Sequence, residues 1–133
     1  MDSLETKFSR TIEVQAQTGE LATVRQFVED TSREIVSDPE KVFDLKVAVS
    51  EACANAMEHA GSNSAMIQVT ARAHEKRLTF VVSDTGYFRT PTLPRPGHQS
   101  RGLGLPLMVA LMDEVLFSRL PAGGTTVCLS VLV

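Results

Sequence analysis

Cysteine is scarce in this sequence. Its only two cysteines, Cys53 and Cys128, lie far apart in apolar segments. A disulfide-stapled domain or a cysteine-rich metal site needs more cysteines at closer spacing. We therefore expect two buried thiols in a reducing compartment, and the cytoplasm is the expected location.

Long apolar runs and basic runs are also missing. The longest apolar run, residues 102–112, is too short to span a bilayer and ends at Asp113 and Glu114. The first five residues, MDSLE, do not form a signal peptide. The net charge is −3 and no cluster of Lys or Arg occurs. We expect neither a membrane nor a nucleic acid as a direct partner.

What is present is the composition of a soluble globular domain. The chain has 133 residues, of which 43% are hydrophobic and 22% charged. This length allows one domain with a real core but is short for two. We expect a single domain over residues 1–133, ordered from about 10 to 132, without internal repeats.

Periodicity predicts five strands and three helices. Alternating apolar residues predict strands at residues 10–17, 65–74, 78–83, 115–120 and 125–132. Spacings of three and four predict helices at residues 21–36 and 39–60, and a third that follows Gly102 and Gly104. The predicted fold class is α/β (α+β), a two-layer sandwich whose mixed, mostly antiparallel sheet is covered on one face by helices.

The second predicted helix carries three polar residues on one stripe. Glu51, Asn55 and His59 are each four residues apart, so they align along the helix next to its apolar face. A carboxylate, an amide and an imidazole in a cleft suit a metal ion or a polyphosphate. Solvated i, i+4 pairs are the ordinary alternative.

The third strand ends on a carboxylate that should face the core. Asp84 has the parity of Leu78, Phe80 and Val82, where an unpaired charge would be costly. Gly86 would let a flat group approach the backbone. An Asx turn at Asp84 is the alternative reading.

Two further segments suggest an anion site. Residues 87–101 form a long loop with three prolines and three arginines, Arg89, Arg95 and Arg101, and such loops are often lids. Gly102 and Gly104 then lead into an apolar helix, whose free N–H groups suit phosphate. The segment is neither a P-loop nor a dinucleotide-binding fingerprint.

Four motifs in order resemble one superfamily. The segments are VSEACANAMEHA, VSDTG, RGLGLPLM and GGTTVCL. They resemble the N, G1 and G2 boxes and the closing Gly-Thr of the GHKL ATPases, which share the Bergerat ATP-binding fold. The similarity is greatest to the stand-alone anti-sigma factor serine/threonine kinases and extends over residues 11–131. One departure is Phe88, which stands where the G1 box often has a second glycine.

The resemblance implies a role for each matching residue. Glu51 would be the general base, Asn55 would ligate Mg²⁺, and Asp84 would accept a hydrogen bond from the adenine amino group. The resemblance also implies that Gly86 lies beside the adenine ring, Thr125 in the adenine pocket and His59 near the phosphates. The residues implied to line the phosphates are Arg101, Gly102, Leu103, Gly104 and Leu105.

The resemblance also implies a function. Such a protein is an ATP- and Mg²⁺-dependent kinase that phosphorylates a serine or threonine of a STAS-domain anti-anti-sigma protein. It also sequesters a sigma factor, usually as a homodimer.

Four alternatives to this function stay open. One is a nucleotide-gated binding module without catalysis, which the presence of Glu51 argues against. Another is a switch kinase of a STAS signalling complex. A histidine kinase catalytic part would need an upstream phosphoacceptor helical hairpin, for which there is no room. A plain structural α/β domain is the fourth.

Overall fold

The computed structural model describes residues 6–59, 65–84, 104–119 and 124–133. The strands are β1 (Thr6–Gln15), β2 (Met66–His74), β3 (Arg77–Asp84), β4 (Glu114–Arg119) and β5 (Thr125–Leu132). The helices are α1 (Leu21–Ser32), preceded by a 3-10 turn at Thr18–Glu20, then α2 (Pro39–His59) and α3 (Gly104–Leu111). None of these three helices combines the length and the hydropathy that a bilayer span requires.

The five strands form one sheet in the order β1-β2-β3-β5-β4. All four neighbouring pairs in it are antiparallel. The core lies between this sheet and the helices, and its largest buried side chains include Phe80, Leu45 and Ile67. The predicted two-layer sandwich is confirmed.

The β2–β3 hairpin has the alternation that the sequence predicts. Ile67, Val69, Ala71 and Ala73 of β2 and Leu78, Phe80 and Val82 of β3 are all buried. Glu75 makes the reversal with a positive φ of 55°. A two-residue connection of this kind matches the twist of its strands and fixes which face each side chain occupies.

The other face of the sheet carries cross-strand hydroxyl pairs. Thr79 and Ser130 lie 2.8 Å apart between their side-chain oxygens, and Ser83 and Thr126 lie 3.3 Å apart. Pairs of this type stabilise a sheet modestly. They are polar, so this face differs in chemistry from the apolar face under the helices.

Helix α2 is the centre of the helix layer. Asp38 caps it, since its Oδ1 accepts the Glu40 backbone N–H at 2.9 Å. Lys46 Nζ donates to Glu29 Oε1 of α1 at 2.6 Å, which lowers the pKa of that carboxyl. This contact defines the flank of α2 that faces α1.

Two element boundaries differ from the prediction by four residues, and the others by at most two. Strand β1 starts at Thr6, before the predicted residue 10, because its first residues pair along the whole length of β2. Helix α1 ends at Ser32, before the predicted residue 36. The Thr31 hydroxyl bonds the Phe27 carbonyl oxygen at 2.7 Å, and such back-bonding weakens a helix end.

Both cysteines are free thiols. Cys53 is fully buried, and desolvation raises the pKa of its thiol to about 12. Cys128 is half-buried on the polar face of the sheet rather than fully buried as predicted, and burial raises its pKa as well. Both thiols are therefore poor nucleophiles at neutral pH.

We predict that Gly124→Ala destabilises the fold. Gly124 is buried directly before β5 and has a φ of 145°, a conformation that L side chains rarely adopt. The free energy of unfolding should fall by at least about 1 kcal/mol in urea titrations. Gly19→Ala is the matched control, because a Cβ at Gly19 would meet nothing within 4 Å. Equal stability of the two variants would contradict the account.

Candidate functional site

Glu51 and Asn55 lie on the flank of α2 that is turned away from α1. Lys46, which contacts α1, is nine residues before Asn55, and nine residues make two and a half helical turns. The opposite flank is the one next to α3, which packs along α2. Both side chains are half-buried there, as expected at the edge of the core, and the predicted cleft stays a prediction.

Asp84 and Thr125 lie at one end of the sheet, on its helix-covered face. Asp84 is only 4% exposed at the end of β3, as its parity predicts. Thr125 opens β5, one step beyond the Ser83–Thr126 pair of the ladder, so the two residues are neighbours across the strands. The Thr125 Oγ1 is buried and has no hydrogen-bond partner among the described residues.

A buried hydroxyl without a partner is rare and destabilising. The Thr125 hydroxyl lies beside the buried Asp84 carboxylate. The carboxylate can accept hydrogen bonds from a polar planar group, and the hydroxyl can both donate and accept one. An adenine ring presents such groups at its edge. These two residues therefore fit a purine better than an apolar ligand.

The C-terminal half of α2 lies at this same end of the sheet. An open depression is lined by Ala54, Met57 and Glu58 of α2 and by residues 16–19, which follow β1. The last residue of β1, Gln15, pairs with Met66, next to Ile67, which in turn pairs with Asp84. The half of α2 that carries Asn55 and His59 thus lies toward the end of the sheet that carries Asp84 and Thr125.

Helix α3 starts toward this end as well. Its C-terminal end is fixed at the far end of β5, where the Asp113 N–H donates to the Ser130 carbonyl oxygen at 2.9 Å. The eight residues of the helix are about 12 Å long. Its first residues, Gly104 and Leu105, therefore lie toward the Asp84 end, with the positive end of the helix dipole.

No group of three or more His, Cys, Asp or Glu that could hold a metal ion occurs among the described residues. A ready-made protein cage for a cation is therefore absent from this part of the chain. Mg²⁺ commonly binds through one or two protein oxygens together with substrate phosphates. The Asn55 carboxamide suits such a shared site.

Several predicted residues are not tested by this geometry. Gly86, Arg101, Gly102 and Leu103 lie outside the described residues, as does the predicted lid at residues 87–101. His59 is the last residue of α2. Its role near the phosphates stays a prediction.

Sequence reasoning gave no conformational role to Gly124. The structure gives it a positive φ directly before Thr125. The Gly-Gly pair before a predicted strand was the available signal.

The comparison with known families agrees with this geometry. Residues 14–131 match the family described as "Histidine kinase-like ATPase domain". The chain belongs to this ATPase family, as the four motifs predict.

Curated relatives and a solved structure indicate which proteins of this family the chain resembles. A serine-protein kinase RsbW of Bacillus velezensis is 39% identical over 88 residues, which are 56% of this chain and 55% of the relative. The chain thus spans about half the length of that kinase. An anti-sigma F factor of Pasteuria penetrans is 31% identical over 99 residues, 66% of each chain.

The solved structure contains the RsbU and RsbW domains of a Mycobacterium tuberculosis protein. It matches 95% of this chain and 32% of its own, at 25% identity and a TM-score of 0.72. The fold and the recognition of the anti-sigma kinase branch are therefore confirmed.

We predict that Thr125→Val stabilises the nucleotide-free protein. Valine keeps the shape of threonine and removes the unpartnered hydroxyl, whose burial costs about 1–3 kcal/mol. The melting temperature without nucleotide should rise, whereas affinity for ATP should fall. Thr125→Ser, which keeps the hydroxyl, should bind ATP more tightly than Thr125→Val. A lower melting temperature for Thr125→Val would mean that the hydroxyl is bonded in the folded chain.

Proposed function

We propose that this chain is a Mg²⁺- and ATP-dependent protein serine/threonine kinase of the anti-sigma factor type. The observation that supports this most is that two residue sets lie toward the same end of the sheet. One set is the Glu51–Asn55 stripe of α2, and the other is the buried Asp84 beside Thr125. Membership of the ATPase family supports ATP as the nucleotide.

In this proposal Asp84 and Thr125 bind the adenine. Asp84 accepts a hydrogen bond from the exocyclic amino group, and Thr125 bonds the ring edge. Because Asp84 is 4% exposed, little water competes for its carboxylate, and such a bond is stronger than in solution. Gly86 leaves room for the ring.

The phosphates lie toward the start of α3. The N–H groups of Gly102, Leu103, Gly104 and Leu105 and the guanidinium of Arg101 surround them in this proposal. His59 at the end of α2 adds a further polar group.

Asn55 and Glu51 act on the transferred phosphoryl group. Mg²⁺, when bound, would neutralise charge on the β- and γ-phosphates. The Asn55 carboxamide oxygen would hold the ion, and Glu51 accepts the proton of the attacking serine or threonine hydroxyl. Both stand on one rigid helix, one turn apart, so their spacing is held by the backbone.

The proposed acceptor is a small STAS-domain anti-anti-sigma protein, and the proposed sequestered partner is a sigma factor. The relatives named serine-protein kinase and anti-sigma F factor support these two roles. We further propose that the chain acts as a homodimer, as is usual in this branch.

We predict that Asn55→Ala abolishes the Mg²⁺-dependent part of ATP binding. Alanine removes the only described oxygen that we assign to the ion. Calorimetric titration with ATP should show lower affinity than the wild type in Mg²⁺, and equal affinity in the presence of EDTA. An unchanged affinity in Mg²⁺ would refute the metal assignment.

We predict that Glu51→Gln binds ATP but transfers little phosphate. The variant keeps the shape of the side chain and loses the base, which should slow transfer by roughly 10²–10⁴-fold. The assay uses γ-labelled ATP with a STAS-domain protein from the source organism and detects acid-stable phosphoserine. Glu58→Gln is the matched control, since Glu58 lies two turns further along the same helix and is exposed. Undiminished transfer by Glu51→Gln would place the base elsewhere.

A further inference from the structure

Helix α2 has an apolar stripe on its outer side. Leu45, Val49 and Ala52 face the sheet and are at most 2% exposed. Phe43, Val47 and Ala54 project on the opposite side at i, i+4 and i+11. Phe43 is 62% exposed, and Val47 and Ala54 are half-buried.

This stripe is unusual because apolar side chains lie on the outer face of the helix layer. A helix that covers a sheet normally presents charged residues to water. The stripe runs about 16 Å from Phe43 to Ala54, which is three helical turns. Ser50, which lies on the same stripe, adds no charge, and its Oγ is buried.

An open depression continues the stripe beyond Ala54. It has a volume of about 590 Å³ and is lined by Ala54, Met57 and Glu58 together with residues 16–19. A large side chain would fit there as an anchor at the end of the stripe.

The charge beside the stripe has one sign. Glu40 and Asp44 follow the stripe along its α3 side, at helical angles within about 40° of one another. Among the described residues Glu40 and Asp44 form no ion pair. The neighbouring α3, GLPLMVAL, has no charged residue. On the other side Lys46 is paired with Glu29.

We propose that the outer face of α2 docks a basic amphipathic helix of a partner protein. Phe43, Val47 and Ala54 would meet its apolar side, and Glu40 and Asp44 would meet its Lys or Arg residues. Charge complementarity selects this occupant, because the uncompensated charge along the stripe is negative. The test of this surface needs no phosphoryl transfer.

The test uses the whole chain and a fluorescein-labelled helical peptide of leucine and lysine with all leucines on one side. Fluorescence anisotropy should show saturable binding to the wild type that weakens with salt. A peptide with glutamate in place of lysine should not bind.

Two variants locate the surface. Phe43→Ser should lower the affinity by roughly tenfold or more, as loss of an exposed aromatic anchor does. Asp44→Lys should lower the affinity and reduce its salt dependence. The matched controls are Leu116→Ser and Glu13→Lys, which make the same changes on the uncovered face of the sheet and should bind as the wild type does.

Three results would overturn the proposal. They are absence of binding to the wild type, an equal loss in the control variants, and equal binding of the glutamate peptide. A sedimentation measurement tests whether a second copy of the chain, and not a partner helix, occupies this face. The sedimentation coefficient of Phe43→Ser should equal that of the wild type, and a dimer that this variant alone dissociates would assign the face to self-association.

Discussion

The packing of α2 on the sheet is the constraint on which the rest of the structure depends. Its inner side is closed by Leu45, Val49 and Ala52 against the strands, and well-packed cores tolerate little change in volume. The rotation of the helix is thereby fixed. Glu51 and Asn55 are then held on one flank, at a position that loops alone would define less well.

The sheet contributes the second half of the site through strand parity. A strand with Leu78, Phe80 and Val82 in the core must place its next alternate residue there as well, and that residue is Asp84. The β3–β5 register places Thr125 beside Asp84. A buried carboxylate and a buried hydroxyl are both unfavourable in an apolar core, so the chain retains polar groups that a purely structural sheet would not need.

Much of this arrangement follows from sequence patterns. Alternation predicted the burial of Asp84, and helical spacing predicted the half-buried stripe of Glu51 and Asn55. The early start of β1 was not predictable from its own polar residues, because pairing with β2 decides it. The exposure of Phe43 was also missed, since periodicity identifies an inner face but does not report which apolar residues remain outside.

The claim that connects these features is that one nucleotide spans from the end of β3 to the middle of α2. A crystal structure of the chain with Mg²⁺ and a non-hydrolysable ATP analogue tests it most directly. We expect the adenine amino group within hydrogen-bond distance of the Asp84 carboxylate, and the Mg²⁺ ion on the Asn55 oxygen. A nucleotide bound away from Asp84, or an ion without contact to Asn55, would contradict the account.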